Sequence, residues 1–322
     1  MNHWLVSTEP EPEYVAWAQA VPRAFAAPSR ASAIAALGAR PLFAWNSARR
    51  VGVLLAVFER GPVRVGMFGQ PVAGPAWDVR GTDEVIADAL VLARAADLDM
   101  IRVNLSMQMA PDPGMVAARQ ERWIADLRSW QVDADRRRRK DLAFARRADG
   151  GVNRIERGVR AAEAHSLCAA AVARHGGSFR YSEGYFAALA AKEGEGTIKT
   201  WSARAEDGAI LGVAVLAVHE DCGYYLHGAA NANGRRAGVA DLLLEAVTAE
   251  ASAVGCSRLT LMASPWNQPG LVAFKDKWSD SRGYYVTHDV AASTVGRAAR
   301  AVIRWRSRGE RIAFQAQAGG PK

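Results

Sequence analysis

A strand-like run, Gly223–Ala229, passes directly into Asn231-Ala-Asn-Gly234-Arg235-Arg236-Ala237-Gly238-Val239-Ala240, and an amphipathic helical pattern begins at once. This junction constrains the fold more than any other stretch. It requires a strand, a tight turn and a helix in immediate succession. The glycines let backbone come close to a bound group, and the first N–H groups of a helix have no partner one turn earlier. With two arginines beside them, those N–H groups suit a phosphate. Gly234, Arg235, Arg236, Gly238, Val239 and Ala240 are therefore the candidate phosphate- and cofactor-binding residues. The pattern continues as a strand at Arg258–Ala263, a helix at Pro269–Trp278 and a strand at Tyr284–Val290.

The rest of the chain also alternates. Residues 51–58 are continuously apolar and predict a buried strand, followed by a second strand near 62–68, a helix over 82–96 and a strand at 100–105. Helices are expected over 163–174 and 182–191, and strands over 197–203 and 209–218, the latter two joined by an Asp207-Gly208 turn. The stretch 80–106 aligns without gaps on 238–264, which favours two copies of one α/β unit. With 322 residues, two domains are expected. The division predicted is 1–130, 131–290 and a basic tail from 291 to 322, whose helix would pack Val302, Ile303 and Trp305 on the body.

The net charge of +8 is concentrated. Residues 136–147 hold seven basic side chains against one acidic, and residues 291–322 do the same. What remains is slightly acidic. A focused basic surface suits a polyanion: RNA, a nucleotide-linked substrate or an anionic membrane. A solvated charge run is the simpler alternative. Arg136, Arg137, Arg138, Arg139, Arg304, Arg306 and Arg308 are the candidate RNA contacts. No apolar run reaches membrane-spanning length, and the first twenty residues lack a basic region followed by an apolar core. Cys168, Cys222 and Cys256 are widely spaced and odd in number, as in a reducing cytoplasm. No metal site is expected, because the histidines show no ligand spacing.

Arg235-x-x-Gly238-x-Ala240 resembles the pyrophosphate loop of the GNAT N-acyltransferase superfamily. The segment Gly270-Leu271-Val-Ala-Phe274-Lys275-Asp-Lys-Trp278 is similar to one in Fem-type transferases, tandem-GNAT proteins that move amino acids from aminoacyl-tRNA. The strand Tyr224–Ala229 and the arginine-rich approach to Gly150 and Gly151 look like theirs too. The likeness covers residues 135–290 well and 1–130 only in size and element order. Two departures stand out: no coiled-coil arm is present, and Phe274 occupies the place where simple GNAT acetyltransferases carry a tyrosine acid. A phenyl ring donates no proton.

The resemblance implies an α/β fold of two GNAT-like domains, each a mixed sheet flanked by helices. It implies no tightly bound cofactor and an acyl donor that is either aminoacyl-tRNA or acetyl- or acyl-CoA. The product would be an amide on a small-molecule or peptide amine; a non-catalytic RNA-binding protein is the third reading. His227 is the candidate base, or else a ring packed beside the sheet. Tyr225 would share its face by strand alternation. Lys275 would neutralise the donor or the oxyanion, unless it is a solvated helix lysine. Trp45 and Trp77, on expected loops, would line the acceptor cleft.

Overall fold

A strand as apolar as residues 51–58 must be covered on both faces. It lies within a twelve-stranded sheet in a computed structural model that describes residues 3–68, 82–107, 117–147, 154–174, 179–192, 196–265 and 268–307. The first part of the chain forms β1 (Leu5–Ser7), α1 (Pro12–Ala20), α2 (Ala31–Ala35), β2 (Arg40–Asn46), β3 (Val51–Arg60), β4 (Val63–Phe68), α3 (Thr82–Ala95), β5 (Met100–Met107) and β6 (Ala117–Ile124). The middle forms α4 (Arg136–Arg147), β7 (Arg154–Arg157), α5 (Ala161–Ala173), α6 (Glu183–Ala190), β8 (Ile198–Arg204), β9 (Ile210–His219) and β10 (Cys222–Ala230). Then come α7 (Ala232–Arg236), α8 (Val239–Ala253), β11 (Arg258–Ser264), α9 (Pro269–Trp278), β12 (Ser281–Ala291) and α10 (Thr294–Arg306).

The strand order is β1-β2-β3-β4-β5-β12-β6-β11-β10-β9-β8-β7. It is a palindrome in kind about the antiparallel pair β12–β6. Moving outward, each side adds an antiparallel strand (β5 or β11), a parallel one (β4 or β10) and then antiparallel neighbours. A parallel pair needs a crossover, which α3 supplies on one side and α8 on the other. The sequence echo between 80–106 and 238–264 is this shared α–β unit. Each half also borrows a strand. β6 precedes residue 131 in sequence yet pairs with β11, while β12 returns from the far end of the chain to pair with β5 over Tyr284–Ala291.

Alternation along the strands assigns the faces. Ile101 and its partner Val290 pack with Val85, Ala89 and Leu92 of α3. On β6 the same face carries Ile124, which packs with Leu243, Leu244 and Val247 of α8 and with the fully buried Trp278. The opposite face is covered by Tyr14 and Ala18 of α1 in one half. In the other half α5 and α6 cover it, through Leu167, Tyr185, Phe186 and Leu189. Each such side chain contributes about 1.5–3 kcal/mol on burial. The sheet edges are unattractive to other strands: β1 has three residues, and β7 reads Arg-Ile-Glu-Arg.

The C-terminal helix departs from expectation. Val302 and Trp305 are 50% and 73% exposed. α10 meets the body through its opposite side, where a Cβ on Gly296 would stand 1.9 Å from the Asp99 carbonyl oxygen. Ser293 caps the helix by accepting from Gly296 N (3.0 Å) and donates its hydroxyl to Asp99 (2.6 Å). The basic face contributes as well, with Arg300 reaching the Asp289 carbonyl.

Candidate active site

Two strand irregularities open a fork beside the glycine turn. β10 and β11 run parallel only from Cys222–Tyr224 against Arg258–Thr260. Past that point β10 shifts register between Tyr225 and His227, and β11 shifts between Thr260 and Ala263. Met262, within the second shift, takes a left-handed φ of 62°. Such bulges bend strands and leave backbone groups outside the ladder. At the mouth of the fork, Asn231 caps α7 by accepting from Gly234 N (2.8 Å) and ties itself to β9 through Ile210 O (2.7 Å). Gly238 has φ 73° and precedes α8 directly. Asp241 N donates to Gly238 O (3.0 Å). Val239 and Ala240 occupy the first two helical positions, whose N–H groups have no carbonyl one turn back.

The arginines around this mouth are exposed. Arg235 bonds the Ala230 carbonyl (2.9 Å), and Arg236 bonds Asn233. Arg174, beyond the end of α5, lies near enough that Arg235 pulls its guanidinium below the ordinary range, after burial as the larger cause. Sequence reading missed Arg174, because no local pattern joins it to the turn.

His227 lies on the far side of β10 from α8. Its Nε2 is 3.1 Å from Tyr185 Oη, which itself accepts from Arg30 (3.4 Å). Rings of Tyr181 (4.8 Å), Phe186 (5.2 Å) and Tyr185 (5.6 Å) surround it. Burial first, and Arg30 second, hold its imidazole down to about 3. The ring is therefore neutral at physiological pH and acts as a hydrogen-bonding group. Tyr225 does not share its face: the extra residue at the bulge breaks the alternation, and Tyr225 packs in the α8 core instead. Its hydroxyl occupies the space a Cβ on Gly228 would need, 1.8 Å away. Burial raises the Tyr225 phenol.

Lys275 is neither solvated nor aimed at the mouth. It is buried, and its ammonium donates to the carbonyls of Met262 (2.9 Å) and Ala263 (3.0 Å) at the β11 bulge. Thr260 Oγ1 accepts from Met262 N (3.0 Å) and donates to the buried Glu121 of β6 (2.7 Å). Lys275, Thr260 and Glu121 thus brace one arm of the fork. Burial lowers the Lys275 ammonium to about 7, with Glu121 opposing that shift and Arg122 adding to it. Above that value the unfolded chain keeps a proton that the folded chain has lost, so stability rises with pH up to the ordinary lysine range. Lys275→Met should remove this slope. Thermal midpoints over roughly pH 7–9 measure it, and parallel profiles for both proteins would refute the assignment.

The aromatic cage and Glu121 were also missed. Phe179, Tyr181, Tyr185 and Phe186 fall within eight residues, a density that signals a cluster. Nothing local signals Arg30, which arrives from the other half of the chain, or Glu121, hidden in the polar run Arg119–Arg122.

Of the basic residues, Arg136, Arg137 and Arg139 are exposed on α4. Arg138 turns inward. It donates to Val132 O, Lys277 O (2.8 Å) and Gln131 O (2.8 Å), and it lies over the Trp130 ring at 4.3 Å. The far end of α4 reaches the glycine turn, where a Cβ on Gly238 would stand 2.8 Å from Ala145 Cβ. Arg304 and Arg306 lie on α10, in the other half of the sheet; Arg308 is outside the described residues. Trp45 is on β2, buried, with Nε1 bonded to Glu13 (2.9 Å), so it packs the core instead of a cleft. Trp77 lies outside the described residues.

A model of the acetyltransferase (GNAT) domain matches residues 119–276, the stretch from β6 to α9 that forms the half containing the fork. No curated protein matches the sequence. Among solved structures, FemX aligns with a TM-score of 0.58 at 13% identity, covering 94% of this chain and all of that one (100%). L-PGS from Bacillus licheniformis aligns with a TM-score of 0.52 at 14% identity, covering 93% and 96%. The C-terminal domain of a putative lysylphosphatidylglycerol synthetase from Agrobacterium fabrum gives 0.52 at 15% identity, covering 92% and 94%. The fold is accordingly a mixed α/β, GNAT-like one. Among the described residues, no helix is long and apolar enough to cross a membrane.

Proposed function

We propose that this chain is an N-acyltransferase that takes an aminoacyl group from aminoacyl-tRNA and forms an amide on a small-molecule or peptide amine. The observation that carries this reading is the fork between β10 and β11, opening beside a left-handed Gly238, the free start of α8 and the exposed Arg174, Arg235 and Arg236. A phosphate of the donor would sit on the helix start, and the acyl group would enter the fork. The amine nitrogen attacks the ester carbonyl carbon, the C–N bond forms and the C–O bond to the ribose breaks. The proton leaving nitrogen balances the one taken by the ribose hydroxyl. Backbone N–H groups freed at the β10 bulge are suited to the transient oxyanion. His227, neutral and hydrogen-bonded, suits orienting the amine better than deprotonating it. The exposed basic face of α4 leads to the donor turn, which favours a donor with a long phosphate backbone.

Acyl-CoA is the second reading, favoured by Arg235-x-x-Gly238-x-Ala240 and by the acetyltransferase-domain match. Binding of aminoacyl-tRNA and of acetyl-CoA, each measured across a salt series, separates the two. Salt-steep tRNA binding without CoA affinity supports the first; micromolar CoA binding with indifferent RNA affinity supports the second. Arg235→Glu with Arg236→Glu should weaken the true donor by at least about tenfold and leave thermal stability unchanged, since both side chains are exposed. Unchanged donor affinity would remove the turn from the binding site.

A further inference from the structure

The apolar stripe of α10 faces away from the protein. Val295, Ala298, Val302 and Trp305 recur at helical spacing and are all exposed, Trp305 at 73%. The side seated on the body carries Gly296, Arg300, Ile303 and Ser307, with Arg300 bonded to the Asp289 carbonyl. Arg297 and Arg306 lie exposed beside the stripe, Arg304 is half-buried, and residues 294–306 contain no acidic side chain. An ordinary surface helix would show the reverse arrangement, apolar side inward.

We propose that α10 is a membrane-surface helix that docks the protein on anionic lipid bilayers. A helix with a strong apolar face, a cationic flank and an indole lies in the plane of a bilayer interface, its apolar side among the upper acyl chains. The indole suits the headgroup boundary, and arginines near an anionic surface strengthen the attachment. Charge complementarity fixes the lipid class: the arginines beside the stripe, with no carboxylate among them, select phosphatidylglycerol-like headgroups over zwitterionic ones. RNA would match the arginines but leave Val295 and Val302 in water. Because the helix is anchored by the Gly296–Asp99 contact and by Ser293, it presents this face without rearrangement. Surface docking is independent of which acyl donor the fork takes, so either can fail alone.

The full chain is tested by flotation with vesicles of phosphatidylcholine alone or mixed with phosphatidylglycerol. Wild type should float with the mixed vesicles and not with phosphatidylcholine alone. Val302→Asp with Trp305→Asp should reduce that binding by at least about tenfold. Arg297→Glu with Arg306→Glu should abolish the lipid selectivity. These four side chains are exposed, so an unchanged thermal midpoint verifies each fold. Absence of flotation by wild type, or flotation that the aspartate pair leaves intact, overturns the proposal. So does light scattering that shows a dimer split by the aspartate pair, because a second copy then covers the stripe. Loss of tRNA binding in the aspartate pair, with vesicle binding retained, also overturns it.

Discussion

Gly234→Ala should remove donor binding while the rest of the protein stays folded. A Cβ at Gly234 would stand 2.3 Å from the Leu211 carbonyl oxygen and 3.0 Å from its carbon. That neighbour is backbone of β9, which cannot step aside as the end of a side chain can. The same oxygen accepts from Asn231 N (3.0 Å), and Asn231 caps the turn through Gly234 N. The turn must therefore lift from β9, losing the Asn231 contacts and displacing the start of α8. Overpacking of this kind costs about 1–3 kcal/mol, a few degrees in the midpoint of a chain this long. The donor Kd should rise by a much larger factor, about a hundredfold, because anion binding at a helix start requires the backbone N–H groups to be in position. Gly270→Ala is the matched control: no atom lies within 4 Å of its Cβ. It should leave the donor Kd unchanged. Retained affinity in Gly234→Ala would show that the turn is scaffolding only.

The glycine turn was legible because its requirements are local. A strand, two glycines and a helix start stand in one stretch of sequence, and the structure keeps their order as β10, α7 and α8. The α3–β5 and α8–β11 echo was legible for the same reason. What sequence did not show depends on distant partners. β6 was hidden because its central residues, Arg119–Arg122, are polar; the strand is held by neighbours at 258–264 and 281–287. Lys275 looked solvent-facing until the bulge at Met262 supplied two carbonyls for it to cap. Arg138 stands within a run of identical residues, yet only its direction on α4 reaches Trp130 and the Lys277 carbonyl. The reversed polarity of α10 follows from Gly296, the one residue small enough to seat the helix against Asp99.

Acid should loosen the protein well before its carboxylates titrate. The segment carrying Arg23–Arg30 crosses from the first half of the chain onto the second, and two neutral histidines hold it there. Phe25 N donates to His219 Nδ1 (3.3 Å), and Ala24 N donates to Val218 O (2.9 Å). His227 joins Tyr185 and, through it, Arg30. Burial holds both imidazoles down to about 3, helped by Arg23 at His219 and by Arg30 at His227. Between that value and the ordinary histidine value the unfolded chain takes up protons that the folded chain refuses. Stability therefore rises with pH through the window and falls as pH drops through it. One pH unit inside the window costs about 1.4 kcal/mol per histidine, so lowering pH from about 6 to 4.5 costs on the order of 4 kcal/mol for the pair. The thermal midpoint should drop by on the order of 5–10 °C. Asp99 and Glu163 are held below the ordinary carboxylate range, chiefly by hydrogen bonds from Ser293 and Arg204 respectively, so their protonation adds only below that range. His219→Gln and His227→Gln should each lower the pH slope by about one proton while keeping a neutral hydrogen-bonding side chain. Midpoints across this window, with proton uptake on unfolding, provide the measurement. A flat wild-type profile, or a slope that survives both substitutions, would assign the acid sensitivity elsewhere and leave the histidines as packing.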